Sequence, residues 1–279
     1  MGTAHNQEYM KIAVHIGKKD AASDSRIDDM LGRLAQAGVT IYDVEDGRKP
    51  DPDTDMLMSI GGDGTFLTAS KLVAEMGIPV VGVNLGRLGF LSENRIEDVV
   101  DALLDGDYSL ENRAMLKAVV TNGSENEVMY ALNEFTVHRS GAAMLAVDVT
   151  IDGVALPPYW ADGLIVSTSS GSTAYSLSVG GPIVLPAAKV LIISPIAPHN
   201  MNVRPLVVPD STAITIKVHS RDRRVIFTAD NRSMDVDEGA EMELSLAQFS
   251  LKRVRLNNSD FINALTEKLY WGEDVRNIK

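Results

Sequence analysis

Between Lys11 and Gly106 the chain alternates two patterns of apolar residues. KIAVHI (11–16), VTIYDV (39–44), MLMSI (56–60) and IPVVGV (78–83) are short, nearly continuous apolar runs that predict buried strands. Between them the spacing changes to three and four. Ile27, Met30, Leu31 and Leu34 predict one helix, stopped by Gly38, and Phe66, Leu67, Val73 and Met76 predict a second. Ile96, Val99, Val100, Leu103 and Leu104 predict a third, closed by Gly106. Continuous apolar strands alternating with helices imply a parallel sheet covered on both faces.

After Gly106 the rhythm changes to alternation. LKAVVT (116–121), VMYALNEFTVH (128–138), LAVDVTID (145–152), AITIKVH (213–219), EMELSL (241–246) and FSLKRVRL (249–256) read as antiparallel strands. Asn122-Gly123, Asp152-Gly153 and Glu238-Gly239 mark turns between them. Ile262, Leu265 and Leu269 return to helical spacing, with Ser259 as N-cap. The reading is α/β plus all-β: an α/β domain over 1–106, a β-rich domain over 107–257, and a C-terminal helix over 258–279 that packs back on the first domain.

Composition narrows the chemistry. Lys plus Arg number 26 and Asp plus Glu 38 in 279 residues, a formal charge of −12, which argues against a nucleic-acid partner. There are no cysteines, so disulfides and thiolate metal sites are excluded, as fits a reducing compartment. The N-terminal stretch has neither a secretory nor a myristoylation pattern, and no apolar run approaches the ~18 residues of a membrane span. A soluble, cytoplasmic protein is expected.

The first chemical candidate is SIGGDGTFLTASKL (59–72). Gly61, Gly62 and Gly64 permit close backbone approach at the end of a strand, where open α/β sheets bind ligands. Helix N-termini attract phosphate, so the acid Asp63 in that loop either has a task there or caps the helix. Three common motifs fail. The third glycine of a dinucleotide fingerprint would fall at Leu67, Gly17-Lys18 lacks the Walker spacing, and no G-x-S-x-G surrounds Ser172.

Two polar clusters follow. Asn133 and Glu134 interrupt an apolar alternating strand. Adjacent strand residues point to opposite faces, so both serve a ligand only if the strand ends or bulges there; otherwise they mark a strand end in solvent. YWADGLIVSTSSGSTAYSLSVGGPIVLP (159–186) combines Asp162 with hydroxyls, Thr173-Ala174-Tyr175 and a Gly180-Gly181-Pro182 turn. It suits a polar ligand that is not simply polyanionic, or else is a turn-rich connection. His138, His199 and His219 read as packing or surface residues, and no spacing suggests a tight metal site.

Taken together, GGDGT (61–65), NE (133–134), DG (162–163) and GSTAYSLSVGGPI (171–183) resemble the NAD kinase family, in order and spacing, across residues 11 to about 270. The resemblance implies ATP-dependent phosphorylation of the 2′-hydroxyl of the adenosine ribose of NAD. It also implies a Rossmann-like N-terminal domain and homodimers or homotetramers in which a neighbouring subunit supplies part of the NAD site. Asp63 matches the general base. Gly61, Gly62, Gly64 and Thr65 match the phosphate loop, and Arg87 in NLGRLGFL, near that loop, is a further candidate for phosphate contact. Asn133 and Glu134 match the pair that contacts NAD, Asp162 an acid on its nicotinamide-ribose side, and Thr173, Ala174, Tyr175 and Ser178 the adenosine site. Mg²⁺ is expected to arrive with ATP, held by phosphates.

Three departures touch ligand contacts. Thr168-Ser169-Ser170-Gly171 stands where the family usually reads Thr-Pro-Thr-Gly, which would relax a rigid turn. Trp160 occupies a place that is often basic. TADNRS (228–233) replaces a segment that often ends in Gln; Asn231 is the ligand-binding candidate there, and neither it nor Arg232 matches the family's residue. The rivals are a lipid kinase sharing the glycine loop, against which the acidic charge speaks, and a catalytically silent NAD(P)-sensing module.

Overall fold

The computed structural model describes residues 10–17, 24–86, 89–257 and 261–271. The chain divides into two compact units. One comprises Met1–Asn112 with Leu251–Lys279, and the other Arg113–Ser250.

The first unit contains β1 (Lys11–Ile16), α1 (Ser25–Gln36), β2 (Thr40–Asp43), β3 (Met56–Ile60), α2 (Asp63–Val73), β4 (Val80–Asn84), the two-residue β5 (Asn94–Arg95) and α3 (Ile96–Asp105). β1 pairs in parallel with β2 and β3, and β3 with β4. β3 and β4 are buried throughout, as strands of a parallel sheet must be when both faces are covered. α1 starts where the Asp24 carboxylate accepts the Arg26 N–H at 3.0 Å. Its buried face is Ile27, Met30 and Leu34, and α3 contributes Ile96, Val99, Val100 and Leu103 to the same core. Each such side chain is worth about 1.5–3 kcal/mol of burial. α2 begins at Asp63 itself, so the acid of the glycine loop lies in the first turn of the helix rather than before it.

Two long strands cross the division between the units: β6 (Tyr108–Asn122) and, near the end of the chain, a 16-residue strand over Glu241–Leu256. Between them lie β7 (Glu125–Ala131), β8 (Glu134–Arg139), β9 (Leu145–Ile151), β10 (Val154–Ala155), β11 (Tyr159–Ala161), β12 (Gly163–Thr168), α4 (Tyr175–Ser178), β13 (Val190–Ile196), β14 (Leu206–Pro209), β15 (Ile214–His219), β16 (Arg224–Ala229) and β17 (Arg232–Asp237), so the 16-residue strand is β18. In the second unit β14-β13-β12-β8-β16-β17 form one antiparallel sheet. β9 pairs with β10, β11 and β15, and β15 pairs with the first part of β18. Alternate residues of these strands, among them Phe135, Val137, Val147, Leu164, Ile193, Ile216 and Phe227, bury one common core.

The last part of β18 belongs to the first unit, where Arg253 and Val254 pair in parallel with Val80 and Val81. α5 (Phe261–Leu269) follows and packs there, with the Phe261 and Phe90 rings 5.8 Å apart. Ser259, the expected N-cap, lies outside the described residues. Among the described residues no helix is long and apolar enough to cross a membrane.

Several strands differ from expectation. The stretch 128–138 is not one strand; it breaks after Ala131 and resumes at Glu134. The stretches 241–246 and 249–256 are one strand, because Ala247 and Gln248 continue its extended course. β12 and β13 were not expected: fully buried runs such as GLIVST carry no alternation, and hydroxyl residues disguise their burial.

Candidate active site

In the first unit, β3 delivers the chain to Gly61 at φ +146°, a region that disfavours any side chain, and α2 starts two residues later. A Cβ built on Gly62 or Gly64 meets nothing within 4 Å, so neither glycine is demanded by packing. The space where their side chains would stand is open. Gly89 is the contrasting case, since a Cβ there would lie 1.7 Å from Asp63 Oδ1. That contact shows where the carboxylate goes. Asp63 Oδ2 accepts the Phe90 N–H at 2.8 Å, and Oδ1 accepts those of Leu91 and Ser92 at 3.0 and 2.9 Å. The donor loop is itself folded, with the Ser92 carbonyl accepting the Gly89 N–H at 2.9 Å and the Asn84 side chain at 3.2 Å. A carboxylate has about four acceptor positions, and among the described residues three are taken by these amides. Thr65 packs into this turn, its hydroxyl where a Cβ on Gly61 would fall. Arg87 lies outside the described residues.

In the second unit the break between β7 and β8 is made by a residue that the sequence reading passed over. Asp230, at φ +51° in the two-residue turn between β16 and β17, accepts the N–H groups of Leu132, Asn133 and Glu134 at 2.8, 2.8 and 3.2 Å. Its own N–H donates to the Glu134 carbonyl at 3.0 Å. Those three amides therefore leave the strand ladder, and Asn133 and Glu134 can both turn inward. Both are buried, and Asn133 Oδ1 and Glu134 Oε2 have no hydrogen-bond partner. Buried polar atoms without partners cost about 1–3 kcal/mol each, so a ligand that pairs them is favoured.

Burial, and then the neighbouring Asp230 charge, push the Glu134 carboxyl up to about 8, against a hydrogen bond from the Tyr175 backbone. Asp230 is raised too, chiefly by burial and in opposition to its three amides and Arg232. At neutral pH Glu134 therefore holds a proton and offers an O–H donor as well as an acceptor.

The segment 168–178 closes over this break. Thr168 Oγ1 donates to the Leu132 carbonyl at 2.7 Å and accepts the Gly171 N–H at 3.2 Å. Gly171 is required here, because a Cβ would stand 2.3 Å from the Asn133 carbonyl oxygen. Ser169 Oγ donates to the Pro186 carbonyl at 2.9 Å. The turn that lacks the family's proline is thus stitched by its hydroxyls. Thr173 and Ala174 lead into α4, with Tyr175 beside Glu134 and exposed at 39%. Ser178 ends α4 and is exposed. Asn133, Glu134, Thr173, Ala174 and Tyr175 are therefore brought together.

The structure does not bring Asp162 to that group. It precedes β12, whose register pairs Gly163 with His138 and Ser167 with Glu134, so Asp162 lies at the far end of the ladder, about 15 Å along. Its carboxylate is paired with Arg139, Nε to Oδ1 at 2.8 Å and Nη2 to Oδ2 at 3.3 Å. The basic partner expected at position 160 is supplied across the sheet, while Trp160 is half-exposed. Asn231 is exposed beside Asp230, and Arg232 turns away to donate to the Tyr130 carbonyl.

Comparison with known proteins decides the family. The ATP-NAD kinase N-terminal domain matches residues 8–108 and the ATP-NAD kinase C-terminal domain residues 132–256. The chain belongs to the ATP-NAD kinase family. An NAD kinase of Cytophaga hutchinsonii is 41% identical over 227 residues, covering 80% of this chain and 78% of its own. One from Christiangramia forsetii is 42% identical over 233 residues, covering 81% and 79%. Among solved structures, an NAD kinase from Archaeoglobus fulgidus in complex with ATP superposes with a TM-score of 0.73 at 28% identity, over 89% of this chain and 94% of that one. A yeast NADH kinase complexed with NADH shares the fold, with a TM-score of 0.88 at 24% identity over 98% and 91%. Within this NAD kinase-family chain, the residues the sequence missed are Asp230, Arg139 and the amides of 90–92. A signal for the first existed: Asp-Asn between two alternating runs is a two-residue hairpin whose first residue takes positive φ.

Proposed function

We propose that this chain transfers the γ-phosphoryl of ATP to the 2′-hydroxyl of the adenosine ribose of NAD, giving NADP. The observation that carries the mechanism is the Asp63 carboxylate, held by three amides in a loop whose Gly62 and Gly64 are not required by packing. In the reaction the 2′-oxygen forms a bond to the γ-phosphorus while the bond from that phosphorus to the β–γ bridging oxygen breaks, and ADP departs. The hydroxyl proton passes to Asp63. A carboxylate is a weak base for an alcohol, so Asp63 chiefly orients the hydroxyl and takes its proton late. Gly61, Gly62, Gly64 and Thr65 supply the phosphate loop.

ATP enters as its Mg²⁺ complex. Mg²⁺ bound by few protein ligands takes the ATP phosphates as its main ligands. Asn133 and neutral Glu134 hydrogen-bond NAD through their unpartnered oxygens, and Thr173, Ala174, Tyr175 and Ser178 line its adenosine portion. The proposed assembly is a homodimer or homotetramer in which Asp162 of one copy serves the NAD bound to another. Its distance from Glu134 along the ladder supports this. The cytoplasm is the proposed compartment, as the cysteine-free composition fits.

The test is transfer of labelled γ-phosphate from ATP to NAD by the purified protein, with the product offered to a dehydrogenase specific for NADP. Labelled product that the dehydrogenase accepts supports the reaction and its 2′ position. Label on a lipid, or NAD binding without transfer, would replace it.

A further inference from the structure

The amide loop that holds Asp63 is covered by one residue of α5 whose charge the reaction above does not use. Lys268 Nζ stands 3.9 Å from the centroid of the Phe90 ring, and it is buried with no hydrogen-bond partner among the described residues. Its ammonium is seated on an aromatic face, which a cation favours. Phe90 is also packed by Phe261 from the start of the same helix. Its N–H is the donor to Asp63 Oδ2. On the far side of the loop, Glu93 is held by the buried Arg253, which Glu111 also pairs at 3.2 Å. The loop 90–92 is thus anchored at one end by a buried ion pair and at the other by a cation on a ring.

We propose that Lys268 is a positioning residue of the Asp63 centre: its ammonium holds Phe90, and through it the amides that aim the carboxylate. The inference rests on the reading of Asp63 given above. The groups around Lys268 define what its charge feels. Asp63 on α2, Glu93 after the loop and Glu267 on α5 favour the charged form, while Arg253 on β18 opposes it. Arg26, Arg95 and Glu97 share with Lys268 the lining of a cavity of about 830 Å³. Desolvation is the largest influence and lowers the Lys268 ammonium to about 8. The folded state therefore discourages the charge that the loop uses.

The test compares the full-length protein with Lys268→Met and Lys268→Arg across pH 6.5 to 9.5. Lys268→Met should lower kcat about tenfold at pH 7, on the scale of a desolvated cation over a ring. KM for NAD should be unchanged and the melting temperature equal or higher. In the parent protein kcat should fall as the pH rises through about 8, where the ammonium is lost. That limb should be absent in the Met variant. Lys268→Arg keeps the charge at every pH used, so it should restore kcat and remove the limb. Hydrogen exchange at the Phe90, Leu91 and Ser92 amides should be faster in Lys268→Met and normal in Lys268→Arg. This readout does not depend on turnover, so it stands apart from the identity of the reaction. Unchanged exchange in Lys268→Met, or a fall in kcat that merely follows a fall in melting temperature and that Arg does not repair, would overturn the proposal.

Discussion

Three consecutive backbone amides converge on one carboxylate twice in this chain, at Asp63 and at Asp230, and the two results differ. At Asp63 the amides aim the acid itself. At Asp230 they are drawn out of a strand, so that Asn133 Oδ1 and Glu134 Oε2 are buried with no hydrogen-bond partner among the described residues. Asp230→Ala strands three donors in the interior and should destabilise the protein by about 3 kcal/mol, measured by urea unfolding. Glu134 gives a pH signature. Folded, it titrates near 8 against an ordinary value of 4.5, so between those values the folded state holds a proton the unfolded chain has released. Its contribution to stability is present below about 4.5 and is lost as the pH rises through about 8. Unfolding of Glu134→Gln should lack that decline, with a difference from the parent on the order of a few kcal/mol across the range.

At the scale of elements, what was legible followed hydrophobic period. The three amphipathic helices of the first unit and the buried strands β1, β3 and β4 declare themselves through Ile27, Met30 and Leu34 or through unbroken apolar runs. β12 and β13 did not, since GLIVST and VLIISPI are buried on both faces and offer no period, and Ser and Thr there resemble loop residues. The chemical residues themselves were visible as motifs, while their supports were not. Asp230 acts on residues about a hundred positions earlier in the chain, and Arg139 meets Asp162 across a ladder, relations that no local pattern encodes. Gly171 is the most exacting of these long-range fits. Gly171→Ala places a methyl against the Asn133 carbonyl. It should weaken NAD binding at least tenfold and cost about 1–3 kcal/mol of stability. Calorimetric titration with NAD and thermal unfolding of the same sample check both.

For the whole molecule, the placement of Asp162 yields a test of shared sites. Asp63→Asn and Asp162→Ala should each be nearly inactive alone. If Asp162 serves a neighbouring copy, mixing the two in equal amounts after dissociation and reassembly should restore about a quarter of parental activity overall, because about half of the dimers are mixed and each of those has one site that receives neither change. No recovery in mixed oligomers would confine each site to one copy. The account as a whole turns on Asp63. The most direct measurement is therefore NADP formation from NAD and Mg²⁺–ATP by the parent protein and by Asp63→Asn, with NAD affinity determined on the same preparations. The predicted result is parental activity, a loss of about 10²–10⁴-fold in the variant, and NAD binding retained by both. Near-normal turnover in Asp63→Asn would contradict the role assigned to the carboxylate.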